Sequence, residues 1–375
     1  MSITRGHFVQ GTRKVVLQKP ASTFKKDIID SVEAVALASQ DGGQVWIDFQ
    51  RLNECAKEFA QRPLELPRWN YPAFPNKSEG FTDEQIIGFM LLGNTINFCY
   101  TDIGTKKKYY TVSGTGRDGK PAAWQGAEGM WASLKRAIKE GIPVLDGQYL
   151  ANITIEQARG IFERPDSDSV LNSDKFSTDM PMLEERVRIL REAGSVLNRR
   201  YDGSFYKLFT ESRGRLFDNG NGLIERLIDE FPSFRDIETY NGRPVALDKR
   251  AQLAVAMLHE KLLDIGLQGF PENDIAQLTV FVNYNLPRTL RELGVINYRE
   301  PLANLVDNQI EIPYGSRKEV EIRAVTLCAA NRLEDKIREI DPDSKVSALY
   351  IDFLLWAAGR KLEGRPHHLS RTTAY

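Results

Sequence analysis

The chain has 375 residues, 42% of them hydrophobic, with 50 basic against 51 acidic side chains and a formal charge of −1. That length suits one large domain or two modest ones, and the charge balance excludes a strong whole-chain attraction to nucleic acid or anionic membrane. Cys55, Cys99 and Cys328 are far apart with no CxxC, which argues against a disulfide framework or a cysteine zinc site and for a reducing compartment. The N-terminal stretch has no apolar core of signal length, and no stretch approaches the ~18 apolar residues of a membrane span, so the expectation is a cytoplasmic protein.

In chain order, residues 1–20 read as an extended arm. Ser22 to Leu37 and Asp48 to Ala60 have helical periodicity. The stretch ELPRWNYPAFPNKSEGFTD is rich in Pro and aromatics and reads as a loop, its rings either packing locally or lining a pocket. Thr82 to Gln85 forms a capping box that opens a helix through IIGFMLLGNTINFCY, apolar nearly all round and so expected to be buried. YYTVSG and GKPAAWQG then suggest a small β excursion. Helices follow at Ala127 to Glu140 and Thr154 to Phe162, with a polar loop over 163–181. In the long helix Leu183 to Arg200, the charges Glu184, Glu185, Arg186, Arg188 and Arg191 read as a solvated face. Further helices are expected at Ser204 to Glu211, Gly222 to Phe231 and Lys249 to Leu262, with a hairpin turn at Asn241-Gly242. Then comes LTVFVNYNLPRTLREL, an apolar run entering a polar turn and a helix with Pro287 in its first turn. Asn283 to Asn285 therefore sit at a helix N-terminus, as caps or as a polar site beside an apolar wall. Helices near Pro301 to Val306, Val320 to Ile340 and Val346 to Leu362 complete a mainly α fold, with no alternating strand–helix series.

His7, His259, His367 and His368 are the only histidines and no HExxH is present, so no metal and no cofactor is expected. There is no P-loop and no GxSxG; Gly114, Gly116 and Gly119 do not open a helix and are assigned to turns. What remains is Lys249, at a helix start, and Asn283, at the next long helix start. That spacing is able to bring both into one cleft, where a Lys holds a ribose or phosphate oxygen or protonates a leaving base.

Ten stretches, among them NTINFCY, GMWASLKRAIKEGIP, DKRAQLAVA, LTVFVNYNLPRTLRELGVINY, GSRKEVEIRA, IDFLLW and PHHLSRTTAY, resemble in order and spacing the queuosine salvage proteins, the queuosine 5′-phosphate N-glycosylases. The resemblance implies an all-helical fold related to helix-hairpin-helix DNA glycosylases, with 1–60 as an N-terminal extension outside the similarity and 61–375 as the glycosylase-like domain. It implies hydrolysis of a nucleotide N-glycosidic bond to release queuine, without metal. The partner implied is a small-molecule nucleotide, with no membrane and no direct nucleic-acid contact. The family's catalytic pair is a Lys in KRAQ, matched by Lys249, and an Asp in a FADYR-like motif.

That Asp position is Asn283 here, and the basic position after it is Asn285. A carboxylate stabilises the oxocarbenium-like sugar or activates water, whereas an amide only positions water. Losing the charge is worth several kcal/mol, about 10³ in rate. Three readings stay open: another acid serves, the protein binds without turnover, or the substitution is engineered. Candidate substitute acids are Asp102, Asp248 and Asp352. Phe98, Tyr100 and Tyr284 are expected to flank the base, and Arg323 and Arg371 to meet the phosphate.

Overall fold

A computed structural model of the protein describes residues 23–63, 66–104, 109–116, 120–163, 176–359 and 364–375. The arm expected over 1–20 and most of the polar loop at 163–181 lie outside them. The first elements are α1 (Phe24–Gly42), β1 (Val45–Ile47), α2 (Phe49–Ala60), α3 (Asp83–Thr95), β2 (Tyr109–Thr115) and β3 (Pro121–Gln125). The middle holds α4 (Ala127–Lys139), α5 (Gly147–Asn152), α6 (Ile155–Phe162), β4 (Phe176–Ser177), α7 (Leu183–Arg200), α8 (Phe205–Glu211) and α9 (Leu223–Glu230). Then come β5 (Ile237–Tyr240), β6 (Arg243–Ala246), α10 (Lys249–Asp264), α11 (Glu272–Ile275), α12 (Asn285–Glu292), β7 (Ile296–Tyr298), α13 (Glu300–Asp307), α14 (Arg317–Ile340) and α15 (Ala348–Gly359). No helix among the described residues is long and apolar enough to cross a membrane.

The helix starts follow cap chemistry. The Thr82 hydroxyl accepts from the Gln85 N–H at 3.2 Å while the Gln85 side chain accepts from the Thr82 N–H at 3.0 Å. Thr154 and Gln157 repeat the box on α6. Asp48 caps α2 and Ser204 caps α8. Such caps contribute about 1 kcal/mol each. Strands are short: β2–β3 and β5–β6 are antiparallel hairpins, and β1 pairs antiparallel with the distant β7. Asn241 and Gly242 both have positive φ, 50° and 77°. Their conformation allows the tight two-residue turn expected there.

The main hydrophobic residues divide between two large cores. One holds α3 to α10 with Phe74, Trp131 and Phe205; the other unites α1 and α2 with α12, α14 and α15. The N-terminal helices are thus integral to the second core. The segment before α12 lies on the seam: Leu278 and Phe281 belong to the first core, Val280 and Val282 to the second. At one position close packing requires glycine, since a Cβ on Gly93 would stand 1.8 Å from Cζ3 of Trp131.

Candidate active site

The site begins where α3 stops. The apolar run suggested a helix as far as Tyr100, but α3 ends at Thr95. Two buried arginines take the carbonyls beyond that point. Arg186 of α7 donates to the Ile96 and Phe98 carbonyls, and to that of Cys99 at 2.7 Å. Arg250 of α10 donates to the Thr95 and Ser233 carbonyls. The two guanidinium carbons lie 4.2 and 5.3 Å from the Phe98 ring centroid, a cation–π arrangement. Arg186 is therefore fully buried, not part of a solvated face. Residues 96–100 are held as a fixed turn presenting Asn97, Phe98 and Tyr100. The Tyr100 hydroxyl donates to Asn97 Oδ1 at 3.0 Å, and the Asn97 amide donates to Asn94 at 3.2 Å.

A second buttress sets the start of α10. Asp248 adopts a left-handed conformation with φ 42°, so its side chain does not cap the helix. The Asp236 carboxylate instead accepts from the Lys249 N–H at 3.4 Å and pairs with both Arg323 terminal nitrogens at 2.9 and 2.5 Å. Arg323 belongs to α14, one turn from Glu319, which accepts from the Tyr375 hydroxyl at 2.9 Å. Lys249 emerges from this scaffold 4% exposed. Burial pulls its ammonium down to about 7, Arg250 pulls in the same direction, and Asp352 opposes it. Across from it, the Asp352 carboxylate accepts from the Phe281 N–H at 2.7 Å. Burial pushes Asp352 up to about 7, against the Phe281 hydrogen bond and the Lys249 charge. Asn283 follows Phe281 by two residues, and its side-chain oxygen accepts from the Asn285 N–H at 2.7 Å and the Leu286 N–H at 3.4 Å. It caps α12 and borders the cleft at once.

These groups share one cleft of about 150 Å³, on the seam of the two cores. Three tiers of aromatic rings form its walls: Trp69, Tyr71 and Phe74 from the Pro-rich loop, Phe98 and Tyr100 from the fixed turn, and Phe353 with Trp356 from α15. Two buried lysines pin the loop. Lys261 donates to the Trp69 carbonyl at 3.3 Å and Lys135 to the Pro72 carbonyl at 2.7 Å. Among the described residues lining the cleft, Lys249 is the one cation, with Asp352, Glu128 and Glu260 as the acids.

The model of the queuosine salvage protein family matches residues 77–375. This chain belongs to the queuosine salvage proteins. A Sphaerobacter thermophilus relative, named queuosine 5′-phosphate N-glycosylase/hydrolase, is 33% identical over 333 residues, 88% of this chain and 93% of its own. A Bos taurus relative of the same name is 28% identical over 357 residues, 92% of this chain and 98% of its own. One from Mus musculus, also so named, is 30% identical over 302 residues, 78% of this chain and 83% of its own. The first two alignments reach further than 77–375, so the similarity runs into the N-terminal helices that the motifs had left outside it.

In this queuosine salvage protein, Lys249, Asn283, Asp352, Phe98, Tyr100 and Tyr284 all line the cleft. The other expected residues do not. Asp102 accepts from the Gly104 N–H at 2.9 Å, closing its own turn. Asp248 is buried and accepts from the Asp236 N–H at 3.0 Å. Arg323, 0% exposed, is committed to Asp236 and does not line the cleft. Arg371 is exposed and lies outside the cleft. Trp131, Tyr375, Glu260, Phe353 and Trp356 line the cleft as well. For α15 a signal existed: Leu349, Asp352, Phe353 and Trp356 recur at helical spacing on one face. His367 and His368 are buried, and burial lowers both, to about 4 and about 3. The His367 ring lies tilted against that of Tyr284, with centroids 4.4 Å apart. Among the described residues no group of three or more His, Cys, Asp or Glu side chains is placed to hold a metal.

Proposed function

We propose that this protein hydrolyses the N-glycosidic bond of queuosine 5′-phosphate, as the names of its relatives describe for them, releasing queuine for reuse in transfer RNA. The observation that carries this reading is the placing of Asp352, Lys249 and Asn283 in an aromatic-lined cleft. The flat base is held between rings, and its bond to C1′ of the ribose lies at the charged group of residues. As that bond breaks, its electron pair leaves with the base and the sugar becomes oxocarbenium-like. Ionised Asp352 stabilises that cation and takes a proton from the attacking water; protonated Lys249 supplies the proton the leaving base needs. Water adds at C1′, and the products are ribose 5-phosphate and queuine.

On this reading Asp352 is the acid that compensates for the amide at Asn283, and Asn283 positions water. A binder without turnover is less favoured, because that alternative rested on the site lacking a carboxylate. The ligand is a small nucleotide rather than a nucleic acid strand, supported by the small apolar cleft and the net charge of −1. Cys55, Cys99 and Cys328, all buried and unpaired, support a reducing, cytoplasmic setting.

The test is chromatographic detection of queuine released from queuosine 5′-phosphate in a single turnover. The native protein is expected to release it, and Asp352→Asn to slow release by about 10²–10³ with smaller change in substrate affinity. An unchanged rate in Asp352→Asn overturns the mechanism, and no release by the native protein overturns the function.

A further inference from the structure

Lys249, Leu253, Ala256, Met257 and Glu260 of α10 all line the cleft, so one face of this helix forms its floor. Lys249 and Glu260 stand about three turns, or ~16 Å of backbone, apart. The mechanism above uses the Lys249 end and leaves the Glu260 end unexplained.

Glu260 is 6% exposed. Such a carboxylate is costly to bury unless it has a partner. Its neighbour is Arg68 of the Pro-rich loop, with Nη1 3.0 Å from Oε2 and a side chain 49% exposed. That nitrogen is close enough to attract but not aligned to donate: Oε2 is buried with no hydrogen-bond partner. Burial raises the Glu260 pKa and Arg68 opposes the rise. A buried, acceptor-only group with an open oxygen, in a cleft wall, is complementary to a cationic donor on a ligand.

We propose that Glu260 selects nucleotides whose base carries a protonated amine, pairing with that ammonium at the end of the cleft away from the sugar. The inference rests on the nucleotide reading above and deepens it. Queuine is a 7-deazaguanine with an aminomethyl link at C7 bearing a cyclopentenediol, and its secondary amine is protonated at neutral pH. With the base seated over Leu253 and Met257, between Lys249 and Glu260, its C7 substituent is directed along the α10 floor toward Glu260 while the side chains of Lys249 and Glu260 reach in from either end. The ammonium then gives Oε2 the donor it lacks. Glu128 is the other carboxylate lining the cleft outside the proposed reacting pair. It lies in the first turn of α4, and its shift to the ligand-selecting role would require Glu260 to be dispensable.

The test compares native protein, Glu260→Gln and Glu128→Gln on two nucleotides. One is queuosine 5′-phosphate; the other is 7-cyano-7-deazaguanosine 5′-phosphate, whose nitrile carries no charge. In parallel, the two free bases are titrated while the fluorescence of Trp69, Trp131 and Trp356 is followed. Glu260→Gln is expected to lose about 10- to 100-fold in kcat/KM and in base affinity for the amine-bearing ligand, and less than about threefold for the nitrile. Equal losses on both ligands would mean that Glu260 only anchors Arg68, and would overturn the proposal. So would no loss, or amine-selective loss in Glu128→Gln alone. If the native protein binds both bases but releases neither, the hydrolase reading fails while the binding ratio still decides Glu260. If it binds neither base, both readings fall.

Discussion

Asn283→Asp asks which position carries the working carboxylate. The present side-chain oxygen accepts from two N–H groups of α12, and a carboxylate oxygen accepts both in the same place. Added charge there faces the positive end of a helix, worth about 0.3–1 kcal/mol, so the melting temperature is expected to hold or rise by about 1 °C. The catalytic consequence depends on Asp352. A carboxylate about 4 Å from a developing cation is worth about 4 kcal/mol at an effective dielectric near 20, or close to 10³ in rate. If position 283 had been the sole missing charge, Asn283→Asp should gain most of that factor. On the proposed mechanism Asp352 already serves, so a second carboxylate only repels the first and raises its pKa above its present value of about 7. The expected result is therefore a single-turnover rate within about threefold of native at pH 7, and partial rescue when Asn283→Asp is added to Asp352→Asn. The assay is quenched-flow release of queuine followed by chromatography. A gain of about 100-fold or more in Asn283→Asp alone would refute the assignment to Asp352.

Turnover that needs ionised Asp352 and protonated Lys249, each brought to about 7 by burial, is expected to peak near neutrality, and a flat kcat/KM between about pH 5 and 9 would contradict it. For stability the signs are set by the same shifts. Asp352 holds its proton more tightly in the folded chain, so its contribution falls as pH rises from 3.8 to about 7; Lys249 holds its proton less tightly, so its contribution recovers as pH rises from about 7 to 10.5. Denaturant titrations of Asp352→Asn are expected to lose the first of these slopes. Gly93→Ala puts a methyl group 1.8 Å from the Trp131 ring and is expected to cost about 1–3 kcal/mol while weakening base binding, as thermal unfolding and tryptophan fluorescence would report; an unchanged melting temperature would show that the ring moves freely.

Much of the helical framework was legible because its signals are local. Thr82, Thr154 and Ser204 cap the helices they were expected to open, and Asn241-Gly242 turns its hairpin. The end of α3 was not legible, because nothing in INFCY stops a helix. Its carbonyls are claimed by Arg186 and Arg250, 90 and 155 residues away along the chain from the carbonyls of Ile96 and Thr95. The same long range hid Arg186 among surface charges and made Arg323 resemble a phosphate ligand. A sequence gives a charge and not the Asp236 that neutralises it. The three-residue strands β1 and β7 carry too little periodicity to announce a pairing across most of the chain. At the site, Lys249 and Asp352 were named from motif and chemistry, whereas Glu260 was hidden in the apolar rhythm of α10.

The seam segment also constrains how the chain length is able to vary. Leu278 and Phe281 are committed to one core, Val280 and Val282 to the other, and the Phe281 N–H is tied to Asp352. An inserted or deleted residue between Leu278 and Asn285 would exchange the cores these side chains enter. It would also carry Asn283 off the α12 cap and leave Asp352 without its donor. From Leu278 to Val282 such a frame shift has no surface bulge into which it is able to relax, because these residues are buried on both sides. In this chain a change of length is therefore expected to cost more across this join than in the exposed turns, which makes the count of residues here a structural requirement in its own right.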